Sequence, residues 1–157
     1  MHTEMKKYFK GMAILMTSVW VGGIWTVGYM VAPVVFQTVR DKALAGMLAG
    51  KLFTALAYTG IVCATFLMIY LYKTRGKVAL QQPLFLITLV MLLLVLLGHF
   101  GLQPLLAHFK VQALPQYVME SAYAGRFRFW HGVASILYLL QSLLGAVLLL
   151  KLYCGNL

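Results

Sequence analysis

The sequence predicts an all-α integral membrane protein, a four-transmembrane-helix bundle that takes up residues 1–157 as a single membrane domain. Two observations carry this. All sixteen formal charges fall in 1–10, 40–51, 73–77, 110–128 and at Lys151. Between them lie charge-free stretches of 29, 21, 32 and 22 residues: Gly11–Val39, Leu52–Tyr72, Val78–Phe109 and Phe129–Leu150. A bilayer core of about 30 Å needs about 20 apolar residues at about 1.5 Å each, so every stretch is long enough to span. A spanning segment must satisfy its own backbone, as a helix or in a closed barrel, and barrel strands alternate polar with apolar. Nothing in this chain alternates. Approximate spans are 11–36, 50–73, 83–106 and 129–151.

The elements follow in order. The first stretch runs 29 residues, longer than the roughly 7–15 of a signal h-region, and no A-x-A pattern precedes Arg40. It is read as a mature N-terminal span. Asp41 predicts an N-cap for a helix that starts before the membrane, through Ala43–Lys51, and continues as the second span. Pro83 suits the first turn of the third helix, where its missing N–H is harmless. Pro104 marks a kink or an end. Pro115 breaks the longest connection, after which Tyr117–Arg128 is expected as a short interfacial helix leading into the fourth span. No sequence repeat is strong enough to assign.

Composition agrees. The chain is 62% apolar and 10% charged, with mean hydropathy +0.88, against about 25% charged residues in a soluble domain. The net charge of +10 does not imply nucleic acid, because the cations flank the spans in small groups that meet lipid headgroups. The lipid bilayer is the expected partner. Cys63 falls mid-span and Cys154 beyond the fourth span, a depth difference of about 15 Å. A disulfide needs Cα atoms about 4.4–6.8 Å apart, so no intramolecular bond is expected.

Four spans put both termini on one side. Lys6, Lys7, Lys10, Lys73, Arg75, Lys77 and Lys151 lie there; Arg40, Lys42, Lys51, Lys110, Arg126 and Arg128 lie opposite. Seven against six scarcely engages the positive-inside rule. Cytoplasmic termini in a bacterial inner membrane are the expectation.

Polar and small residues form stripes. His131, Ser135, Tyr138, Ser142 and Gly145 fall within about 80° on the fourth helix, and Gly11, Ser18, Gly22, Trp25 and Tyr29 within about 60° on the first. Gly50, Ala57, Gly60 and Ala64 share a face of the second. Small residues let membrane helices approach closely, so packing alone accounts for many of these. Ser18-x-x-x-Gly22 suits a homo-oligomer face and intramolecular packing equally well.

Histidines within spans invite a functional reading. His99 and His131 both sit toward the non-terminal face at similar depth. His99 and Gln103 share a side at i, i+4. His108, Glu120 and Arg126 belong to the same end, and Met30 and Met47 fall toward it. Three readings stand: hydrogen bonding to neighbours or headgroups; a metal site on His99 and His131, copper suiting imidazole and thioether; or haem ligated from facing helices. The cofactor is unknown, with copper and haem both open.

The P-loop, G-x-S-x-G, H-E-x-x-H and C-x-x-C are absent, and Glu4, Asp41 and Glu120, the only acids, lie outside the spans. No enzyme is expected. The Ser135 hydroxyl is expected to bond back to the carbonyl of residue 131.

SVWVGGIWTVGYMVAPVVF (18–36), LAGKLFTALAYTGIVCA (48–64), HFGLQPLL (99–106) and RFWHGVASILYLLQSLLG (128–145) resemble the small four-span bacterial proteins of unknown function grouped with transmembrane protein 205. That resemblance covers all four helices and implies a four-helix membrane domain without an established activity. Trp20–Gly23 followed by Pro33 is more distantly similar to the copper-resistance protein D membrane domain and to the haem-dependent membrane protoporphyrinogen oxidase. Those families place a histidine about two turns before the Trp; here 11–18 reads GMAILMTS, so a ligand set falls to His99 and His131. The functional expectation is a small transport or binding module for a metal ion, copper in particular, or a small molecule. Trp20, His99, Gln103, His131, Ser135 and Tyr138 would line its site. The alternatives are a structural or assembly protein and a haem oxidoreductase.

Overall fold

The computed structural model describes the backbone of residues 2–154 and the side chains of residues 8–154; Glu4, Lys6 and Lys7 therefore lie outside the described side chains. Four helical spans are long and apolar enough to cross a membrane: Tyr8–Thr38, Lys42–Gln81, Pro83–Ala113 and Ala124–Cys154. Each passes its chain neighbour antiparallel. The first packs on the second and fourth, and the third on the second and fourth, closing a four-sided bundle.

Helix α1 (His2–Trp25) and helix α2 (Ala32–Thr38) are joined by a π-helical segment, Thr26–Val31. Helix α3 (Lys42–Arg75) starts where expected: one Asp41 carboxylate oxygen accepts from the Ala43 and Leu44 amides at 2.8 and 3.1 Å. It ends at Gly76, whose φ of 61° turns the chain with no Cβ to resist it. Helix α4 (Pro83–Leu96) opens on its proline, and a second π segment, Leu97–Leu102, leads into α5 (Gln103–Ala113). Helix α6 (Ala124–Cys154) is the fourth span.

Pro104 therefore does not end the third span; the helix widens ahead of it and runs on. Pro33 does the same in the first span. In both, the proline falls two residues after the π segment. The cause is local. Proline has no N–H to donate, and its ring clashes with the carbonyl four residues earlier. One extra residue in the preceding turn moves that carbonyl away and keeps the backbone bonded in lipid.

The expected interfacial helix at Tyr117–Arg128 is a single 3-10 turn, Val118–Glu120. Ser121 decides this. Its hydroxyl donates to the Val118 carbonyl at 2.8 Å and accepts from the Tyr123 amide at 3.2 Å, closing one turn and preparing the next. Arg126 and Arg128 consequently belong to the opening of α6.

The main core is built from Trp20, Ile24, Leu67, Leu71, Met91 and Leu148, all at most 1% exposed. A smaller cluster of Phe109, Ala113, Val118 and Phe127 lies under the connection between third and fourth spans. Leu93, Ile136 and Leu143 face outward, which costs nothing in lipid. Both cysteines are free; Cys63 is buried and Cys154 exposed.

Candidate functional site

The stripes on the first and fourth spans meet. Tyr29 donates its hydroxyl to Ser142 Oγ at 3.0 Å, and Trp25 Nε1 donates to the Ser142 carbonyl at 3.4 Å. Above them runs an open groove of about 680 Å3, lined by Gly22, Trp25, Tyr29, Leu139, Ser142 and Ala146. Gly145 faces Val21 across the same interface. The polar groups here are spent on one another, which is what packing requires.

Tyr138 has a role the sequence did not disclose. It reaches from α6 into the first π segment and donates its hydroxyl to the Ile24 carbonyl at 2.5 Å. Gly28 makes the room: a Cβ there would lie 2.3 Å from Tyr138 Cε1. The ring is steadied edge-on by Phe53 at 5.3 Å and Tyr29 at 6.3 Å. Tyr138 thus fills the place where the helical ladder of the first span opens.

Trp20 is also enclosed. Its indole lies against α3 where Gly60 leaves a notch, and a Cβ on Gly60 would be 2.5 Å from Trp20 Nε1. That N–H is buried without a partner among the described residues. Trp20 locks the first and second spans together.

His131 and His99 have separate neighbours. His131 stacks on Phe127 with centroids 5.7 Å apart and planes at 7°. Lys110 lies 5.9 Å from the centre of the same phenyl ring and donates to the Gly46 carbonyl at 3.3 Å. Ser135 bonds back to the His131 carbonyl at 2.9 Å, as expected. This group forms a cationic margin at the non-terminal end.

His99 belongs instead to a polar chain between the second and third spans. Its Nδ1 lies 3.0 Å from Gln103 Oε1, and Gln103 Oε1 lies 3.2 Å from Thr54 Oγ1 on α3. Thr54 Oγ1 also donates to the Gly50 carbonyl at 2.9 Å. The imidazole stands between the rings of Tyr58 and Phe100, with centroids at 5.0 and 4.7 Å. His99 sits within the second π segment and Gln103 begins α5, so the widened turn positions both. Gln103 was legible from its i, i+4 relation to His99. Thr54 was missed; its signal was a lone hydroxyl inside the second apolar stretch, three residues from Ala57.

Chemically, the chain of Thr54, Gln103 and His99 holds one imidazole at a fixed rotation. The second ring nitrogen, Nε2, takes no partner among the described residues. No group of three or more His, Cys, Asp or Glu side chains among the described residues is placed to hold a metal ion.

A family model described as a domain of unknown function (DUF4149) matches residues 15–115, a stretch that contains Thr54, His99 and Gln103 and stops before α6. No curated protein and no solved structure matches the chain.

Proposed function

Because the chain belongs to the DUF4149 family, whose function is unknown, we propose from its own residues that it is a non-catalytic binding module embedded in the membrane. It takes up a small molecule or a metal ion near the non-terminal face. The site is the hydrogen-bonded chain of Thr54, Gln103 and His99, with Tyr58 and Phe100 beside the imidazole. One observation carries the reading: three polar side chains from two spans are spent on fixing a single histidine whose outer nitrogen is left free. Polar residues inside spans are costly and mark sites more often than surfaces do. The likeness of the four motifs to the group around transmembrane protein 205 supports the bundle and adds no activity.

Of the two ligand classes the small molecule fits better. His131, the other nitrogen a metal would call on, is occupied against Phe127. A bacterial inner membrane with cytoplasmic termini completes the proposal.

Native mass spectrometry of the protein and of His99→Ala, extracted from the same membranes, tests it. A retained small molecule or metal adduct that disappears in His99→Ala is the expected result. An absorption spectrum of the same samples reads out haem directly. Identical adduct patterns in both proteins would overturn the proposal.

A further inference from the structure

The hydrogen count around Gln103 says which kind of ligand His99 can meet; this rests on the site proposed above. Thr54 has a single hydroxyl proton. Its distance to the Gly50 carbonyl is 2.9 Å, and to the Gln103 amide 3.2 Å. The shorter contact is the usual bond of a helical threonine to the carbonyl four residues back, and it uses the proton. The longer contact then has no hydrogen unless the amide supplies one. An amide oxygen cannot do so, whereas an amide NH2 has two donors. Turning the amide by half a rotation exchanges its oxygen and nitrogen and keeps both contact lengths.

With NH2 facing inward, one hydrogen goes to Thr54 Oγ1 and the other to His99 Nδ1. Every contact in the chain then holds one proton. With the oxygen inward, two oxygens face each other at 3.2 Å across a half-buried gap between spans. Leaving such a contact unmade inside a membrane costs about 1–3 kcal/mol for the stranded group.

We propose that Gln103 donates to both Thr54 Oγ1 and His99 Nδ1, which fixes neutral His99 as the Nε2–H tautomer and makes the site a hydrogen-bond donor. Its ligand class is an uncharged molecule carrying an acceptor oxygen, such as a carbonyl. A metal ion is not the ligand. Metal binding needs a bare imidazole nitrogen, and here Nδ1 is engaged and Nε2 carries the proton. Gln103 and Thr54 are positioning residues that act through His99.

NMR of the full chain in micelles with 15N-labelled histidine tests this at about pH 8, where an ordinary imidazole is neutral. The His99 signals are identified by their loss in His99→Asn. The expected spectrum has a pyridine-like Nδ1 and a pyrrole-like Nε2. Gln103→Glu presents only acceptors, and its expected spectrum has the proton moved to Nδ1. Thr54→Val releases the amide and gives a mixture of tautomers, while Thr54→Ser restores the wild-type pattern. Cu(I) alone leaves the His99 Nε2 signal in place. A wild-type protein with the proton on Nδ1, variants with unchanged tautomers, or a Nε2 signal moved by Cu(I) would each overturn the inference. The two proposals fail separately. An adduct dependent on His99 together with an Nδ1–H tautomer sinks this inference and leaves the site standing. An Nε2–H tautomer with no such adduct does the reverse.

Discussion

Replacing Gly28 with alanine asks the first span to do without its insertion by Tyr138. The new Cβ would stand 2.3 Å from Tyr138 Cε1 and 2.8 Å from its hydroxyl oxygen. Carbon atoms pack at about 3.5–4.0 Å, so ring and helix must part by more than about 1 Å. The ring cannot simply rotate away, because Phe53 and Tyr29 meet it on other sides. Overpacking of this kind costs about 1–3 kcal/mol. Loss of the bond to the Ile24 carbonyl adds about 0.5–1.5 kcal/mol. Alanine's better helix propensity returns about 1 kcal/mol. The net destabilisation is about 1–3 kcal/mol.

The decisive measurement is a double-mutant cycle with Tyr138→Ala, followed by reversible unfolding in mixed micelles. Tyr138→Ala alone removes a half-buried aromatic ring, with a loss of about 3 kcal/mol. In that background the Gly28→Ala methyl enters vacated space, and its cost falls to zero or reverses. The expected coupling is about 1–3 kcal/mol. Additivity within about 0.5 kcal/mol would show that Gly28 and Tyr138 do not meet, and the reasoning would be wrong.

Other outcomes follow from the same geometry. Gly60→Ala sets a Cβ 2.5 Å from Trp20 Nε1 and is expected to lower the melting temperature in detergent by several degrees; an unchanged value would contradict the notch. Trp20→Phe removes an indole N–H that has no partner among the described residues. It should cost less than Gly60→Ala, and a larger loss in the same melt would show that this N–H is bonded. Asp41→Ala removes an acceptor shared by two amides and is expected to cost about 1 kcal/mol in the same unfolding assay, with Asp41→Asn retaining most of it. A membrane-impermeant maleimide should label exposed Cys154 only after lysis, given cytoplasmic termini, and spare buried Cys63. Labelling of Cys154 in intact cells would reverse the orientation.

What the sequence disclosed was whatever is settled locally or by solvent. Spans were legible because each Lys, Arg, Asp and Glu avoids the hydrocarbon. Asp41 and Pro83 were legible because a cap and a first turn are decided within a few residues. Depth was legible too, which is why His99 and His131 were expected together. Their bearing around the helix axis was not, since it depends on how spans rotate against one another. Pro33 and Pro104 announced a disturbance but not its repair, because the widened turn needs a neighbour to support it. Tyr138 and Thr54 come from other helices, far along the chain, and no window of sequence around either proline contains them.

The two π segments also change how this chain must be counted. Each holds one residue more than an α-helix of the same rise, so everything beyond it is turned by about 100°. A stripe drawn at constant period from Gly11 through Tyr29 changes face at Thr26–Val31, and the third span does likewise at Leu97–Leu102. Each odd-numbered span is therefore two amphipathic surfaces in series with different bearings. Insertions and deletions acquire unequal consequences: losing one residue inside either segment would restore a plain helix while swinging the rest of that span to a new neighbour. Length in these twelve positions encodes direction, in the way that side chains elsewhere encode contact.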